Sequence, residues 1–95
     1  MEINEIARRT HEWIKRMGWD NKTVLESLAL IASEVGEAVN ECRGEKPTPE
    51  FATELADIVI RVADLAHQQG IDLSAVIEAK MDFNEKNGNK RARAL

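Results

Sequence analysis

A chain of 95 residues makes one domain, at the small end of what folds alone, and a composition of 43% hydrophobic and 32% charged residues excludes intrinsic disorder. Its single cysteine, Cys42, excludes an internal disulfide and a cysteine-built zinc site, and no apolar run approaches the roughly 20 residues of a membrane span. A net charge of −4 argues against nonspecific nucleic-acid binding, which needs a basic face.

Two prolines, five glycines and no tyrosine favour long helices over a sheet. The first segment, Met1-Glu2-Ile3-Asn4-Glu5, is acidic and has no signal-peptide-like apolar stretch, so a cytoplasmic protein is expected. Ile3, Ile6, Ala7, Thr10, Trp13, Ile14 and Met17 follow the spacing of one helical face and predict a helix over 2–17, stopped by Gly18. This stripe marks Trp13 as a packing residue. Trp19 falls in the turn that follows. Thr23 with Glu26 three residues on reads as a capping box, opening a second helix over 24–43. Its stripe is Leu28, Ile31, Ala32, Val35, Val39 and Cys42, and Gly44 is the expected stop. In the connector, Thr48 reads as an N-cap and Pro49 as the first residue of a third helix, 49–69. That helix is apolar over most of its circumference (Phe51, Leu55, Ile58, Val59, Ile60, Val62, Leu65). Three short neighbours can hardly cover it, so part of it is expected to meet another subunit. Gly70 ends it, and Asp72 caps a fourth helix over 73–85. The tail, 86–95, is too polar for the core. The expected fold is all-α, a four-helix bundle-like domain spanning 1–95.

Charge is unevenly spread. Residues 80–95 carry five basic and two acidic side chains, whereas the rest carries eight and fifteen. On the second helix Glu34, Glu37 and Glu41 share a sector of about 60° beside the apolar stripe. On the third, Glu54 and Asp57 stand about 60° apart with Arg61 between them, one turn on. A single such pair is usual on a solvated face. Two pairs on neighbouring helices, both bordering the core, would repel by about 2–4 kcal/mol per close contact unless cations fill the gap. An all-oxygen donor set selects Mg²⁺, with Mn²⁺ as substitute, and two such ions would balance four carboxylates. A di-iron bundle is disfavoured: it needs a Glu three residues before a His, and Arg8 and Asp64 hold those places before His11 and His67. Arg61 reads equally as a phosphate ligand or as an ion-pair partner of Asp57 or Asp64. Lys80, Lys86 and Arg91 at the basic end suit phosphate oxygens. Trp19, off the core stripe, is less needed for packing and is the better candidate to stack on a ligand.

The strings Ile31-Ala32-Ser33-Glu34-Val35-Gly36-Glu37 and Glu54-Leu55-Ala56-Asp57-Ile58-Val59-Ile60 resemble the E-x-x-E…E-x-x-D signature of MazG-like nucleotide pyrophosphohydrolases, in the all-α NTP pyrophosphatase superfamily. Ile71-Asp72-Leu73 and Lys80-Met81-Asp82-Phe83-Asn84 extend the resemblance, which covers about 11–91; the short form is similar to stand-alone modules and to dCTP pyrophosphatases. After Asn84 the chain departs, with Glu85-Lys86-Asn87-Gly88-Asn89 where many relatives carry Arg-Pro and His-Gly pairs. The resemblance implies hydrolysis of a (deoxy)nucleoside triphosphate to monophosphate and pyrophosphate, as nucleotide-pool house-cleaning. Glu34, Glu37, Glu54 and Asp57 would hold Mg²⁺, and Glu37 or Glu34 would activate water. It further implies nucleotide contacts from His11 and Asn84, and a homo-oligomer, dimer or dimer of dimers, with sites at subunit contacts. The competing readings are a non-enzymatic helical interaction module and a nucleotide sensor without turnover.

Overall fold

The computed structural model describes residues 2–88, and four helices order them: α1 (Ile3–Arg16), α2 (Val24–Asn40), α3 (Phe51–Gln68) and α4 (Leu73–Lys86). No strand occurs among the described residues, and no helix there is long and apolar enough to cross a membrane. The all-α expectation holds, but the arrangement is more open than a bundle. α3 is the central helix; α1 and α2 both pack on it, while their own backbones stay apart. α4 touches only α1 and the end of α3.

Helix ends explain the path. Beyond α1, Gly18 takes a φ of 73°, and two backbone bonds close the turn: Gly18 N–H to the Lys15 carbonyl and Trp19 N–H to the Ile14 carbonyl, each 3.1 Å. This is a Schellman motif; glycine supplies the left-handed residue without steric cost. It also folds Trp19 back over the last turn of α1. α2 opens on the expected capping box, with Glu26 N–H on Thr23 Oγ1 at 3.1 Å and Thr23 N–H on Glu26 Oε1 at 2.9 Å.

Three expectations at the α2–α3 junction are corrected. α2 stops at Asn40, so Cys42 lies outside it and exposed, and Gly44 is not the stop. Thr48 does not cap α3; its hydroxyl donates to Glu41 Oε1 and its N–H to the Glu41 carbonyl at 3.0 Å. The connector thereby occupies a carbonyl that a further turn of α2 would use. α3 begins at Phe51 rather than Pro49, on Glu50 with no side-chain cap.

Asn4 joins the starts of α1 and α4. Its Nδ2 donates to Asp72 Oδ1 (2.8 Å) and its Oδ1 accepts from Ser74 N–H (3.1 Å), while Asp72 Oδ1 also takes Ala75 N–H as N-cap (3.1 Å). The Asn4 amide, and then the Ala75 N–H, hold the Asp72 carboxyl below its ordinary pKa; Thr23 does the same for Glu26, through its backbone first. A carboxyl lowered in the folded state adds stability that is fully present above its unfolded pKa and is lost as pH falls through the folded one. Asp72→Ala should therefore lower the melting temperature by a few degrees at neutral pH. The gap to wild type should close below the usual carboxylate range, as read by thermal melts across pH. A gap that persists unchanged in acid would show that the charge is not what matters.

The core is thin. Among the described residues the buried apolar ones are Ala7, Ala38, Ala63 and Ala66, and no large side chain is fully buried. The stripe expected to be the core face of α2 is largely open, with Leu28, Val35 and Val39 exposed, because α2 has only α3 to lean on. α3 likewise leaves Leu55, Val59, Ile60 and Val62 exposed.

Candidate metal centre and adjoining cleft

Three of the four signature acids meet. Glu34 from α2 and Glu54 and Asp57 from α3 each bring a carboxylate oxygen within 4.8 Å of the other two, and all three are half-buried. The i, i+3 spacing puts Glu54 and Asp57 on one face of α3, and that face packs on α2 beside Glu34. Arg61, one turn beyond Asp57, reaches across to α2 and donates Nε–H to Glu34 Oε1 at 3.0 Å. Its partner is thus Glu34, not Asp57 or Asp64. One guanidinium faces three carboxylates, and the deficit shows in the hydrogen bonding: Glu34 Oε2 and Glu54 Oε2 are buried with no partner. Buried carboxylate oxygens left unpaired are costly. A hard divalent cation would satisfy both, and the all-oxygen set is the one such ions take. The residues present therefore fit a divalent metal.

Glu37 stands apart. It is exposed one turn along α2 and lines, with Glu54 and Glu41, an open depression of about 580 Å³ on the outer side of the acids.

Asp57 of the trio also lines a cleft of about 380 Å³. It lies where α1 and α2 straddle α3 with their backbones apart. Asp57, Ile60, Arg61, Asp64 and Gln68 form its floor along α3; Thr10, Trp13 and Ile14 make one wall, and Ser27 and Leu30 the other. Trp19 and Lys22 close one end. Trp13 is not the core packing residue its stripe position predicts. It is 47% exposed, and its ring meets that of Trp19 edge-on with centroids 5.3 Å apart. The Schellman turn brings Trp19 there, and the gap between the α1 and α2 backbones leaves Trp13 without a cover.

His11 lies behind the floor. Its Nδ1 is 3.3 Å from Oδ1 of Asp64, which is buried, and its ring meets that of His67 at a tilt of 42° with centroids 4.7 Å apart. Gln68 Nε2 donates to the other Asp64 oxygen at 2.6 Å. Lys80 sits over the Phe83 ring of its own helix, 4.8 Å from the centroid. Neither it nor Asn84 nor Lys86 lines the depression or the cleft, since α4 does not touch α2. Arg91 lies outside the described residues. Asp64, Gln68, Ser27 and Lys22 are cleft residues that the sequence reading passed over. The available signal was an acid inside Val62-Ala63-Asp64-Leu65-Ala66, seven residues after Asp57 and so on the same face.

Residues 22–89 match the family model described as the MazG nucleotide pyrophosphohydrolase domain. The match runs from the turn before α2 through α4, and α1 with Trp13 and Trp19 precedes it. Comparison with curated proteins and with solved structures gave no match.

Proposed function

Because this chain belongs to the MazG nucleotide pyrophosphohydrolase family, we propose that it hydrolyses a nucleoside triphosphate at the Glu34–Glu54–Asp57 cluster, water cleaving the anhydride to give the monophosphate, pyrophosphate and a proton. The observation that carries this reading is the pair of buried, unpartnered carboxylate oxygens beside a cleft of nucleotide-compatible size. Glu34, Glu54 and Asp57, with Glu37 at the outer edge, would hold Mg²⁺ or Mn²⁺. The ion, when bound, supplies Lewis-acid neutralisation of the phosphate charge. The protein's own groups divide the remaining work. Glu34 is committed to Arg61 through one oxygen, so Glu37, exposed beside the trio, is the acid that orients the water and takes its proton. Arg61 lines the cleft and keeps guanidinium N–H groups for phosphate oxygens. Trp19 and Trp13 receive the base. Within one chain Lys80, Asn84 and Lys86 stand away from these acids, and a nucleotide contact for them requires the α4 of a second subunit. Clearing unwanted triphosphates from the nucleotide pool is the role this chemistry suits.

Pyrophosphate release from a panel of canonical and modified triphosphates, with Mg²⁺, tests the reading. Release of orthophosphate alone, or no release from any member, rejects it. Trp19→Ala should raise KM more than it lowers kcat. An unchanged KM for every triphosphate would transfer the stacking role to Trp13.

Assembly is the other half of the proposal. The exposed Leu25, Leu28, Val35 and Val39 of α2, and Leu55, Val59 and Val62 of α3, give two helices apolar surface that the described residues leave bare. Such surface is covered in a stable protein, and a second copy carries the matching face. Sedimentation at micromolar concentration should show a dimer or larger; a stable 10.7 kDa monomer would reject it.

A further inference from the structure

We propose that Asp64 and Gln68 select the base: they favour cytosine and adenine, whose amino donor lies beside a ring-nitrogen acceptor, over uracil, thymine and hypoxanthine. This rests on the nucleotide reading of the site. The cleft runs along α3 from Asp57 and Arg61, at the acid cluster, to Asp64 and Gln68. Asp57 belongs to the acid trio and also lines the cleft, and Asp64 and Gln68 lie seven and eleven residues further along the same helix. At about 1.5 Å per residue that places them roughly 10 and 16 Å from Asp57 along the axis, the distance over which a nucleotide extends from its phosphates to the far edge of its base. Trp13 and Trp19 supply the apolar wall between.

At that far end the hydrogen-bonding character is fixed. The Asp64 side chain is 9% exposed and lines the cleft. Gln68 Nε2 donates to one of its oxygens and His11 Nδ1 lies 3.3 Å from the other, which leaves each oxygen a second lone pair. An ionised carboxylate only accepts, so the group opposite must donate. Gln68 spends one amide hydrogen on Asp64 and keeps the other. The pair therefore offers an acceptor next to a donor. The amino group and adjacent ring nitrogen of cytosine or adenine complete both bonds. Uracil, thymine and hypoxanthine reverse the order, setting a carbonyl oxygen against a desolvated carboxylate. Sites built to bond a polar group reject analogues that lack it far more strongly than apolar pockets reject shape.

The test uses pairs differing only in that edge. The protein's only two tryptophans both line the cleft, so their fluorescence reports occupancy without turnover. With Mg²⁺ present, the nonhydrolysable α,β-imido analogues of dCTP and dATP should bind about 10- to 100-fold more tightly than those of dUTP and dITP. Asp64→Asn and, separately, Gln68→Ala should bring the paired Kd values within a few-fold of each other. Equal affinities within both pairs for the wild-type protein would overturn the proposal, as would the absence of quenching by any analogue; both results hold even if Asp64→Asn fails to fold. Selective binding without hydrolysis of the natural triphosphates would leave this inference standing and remove the hydrolase reading instead.

Discussion

Glu54→Gln and Asp57→Asn each lose at least about 100-fold in kcat while the protein stays folded. The scale follows from metal sites in general, where losing a residue that only supports a ligand already costs about 10- to 100-fold. The unusual part of the expectation is the stability. At 4.8 Å and an effective dielectric of about 20, two carboxylates repel by about 3 kcal/mol. Neither Glu54 nor Asp57 has an ion-pair partner among the described residues, so each substitution removes repulsion and breaks no ion pair. In EDTA the melting temperatures of both variants should equal or exceed that of the wild type. Glu34→Gln is the contrasting case: it abandons Arg61, whose 3.0 Å bond spans α2 and α3, and should lose stability as well as turnover. Near-normal rates in both the Glu54 and Asp57 variants would remove these acids from the site.

Mg²⁺ should raise the melting temperature by roughly 10–20 °C when its free concentration reaches about 100 times its Kd. One site bound only by the folded chain contributes about 2.7 kcal/mol at that ratio, and for a domain of this length each kcal/mol moves the melt by about 4–8 °C. The three acids come from two helices, so the unfolded chain cannot offer the same donors at the same spacing. Added salt also weakens repulsion among exposed acids. NaCl at matched ionic strength is therefore the control, and a nonhydrolysable triphosphate should add a further shift. If NaCl reproduces the full Mg²⁺ effect and nucleotide adds nothing, the acids are a solvated face. The two stability expectations also check each other, since Asp57→Asn should begin from an equal or higher melt and respond to Mg²⁺ far less.

What could be read from the residues was whatever local periodicity and spacing control. Thr23 and Glu26 announce the start of α2, Asp72 that of α4, and Gly18 and Gly70 the turns that end α1 and α3. The spaced acids pointed to a site on α2 and α3, and Glu34, Glu54 and Asp57 do gather there. The ends around the connector were not legible, because Thr48 can cap a helix or bond elsewhere, and Glu41, seven residues back, decides which. Helical periodicity also reports which face is apolar but not whether anything covers it. Trp13 and Val39 lie on proper stripes and remain exposed, because the backbones of α1 and α2 stay apart. The cleft was invisible for the same reason: it arises from the distance between two helices, and no pattern within either helix encodes that. Asp64 was present as a lone acid in an apolar run, but its bonds come from His11, 53 residues away, and from Gln68.

The separation of α1 from α2 also divides the molecule by chain distance. The acids are brought together by two helices consecutive in sequence, so their assembly closes one short loop. The cleft needs α1 to reach α3 past the whole of α2, a longer closure with a larger entropic cost. Local contacts of the first kind form sooner than distant ones of the second. The acid cluster can therefore assemble from an α2–α3 hairpin, and the cleft is completed only when α1 docks. Whatever detaches α1 opens the cleft and leaves the acids together.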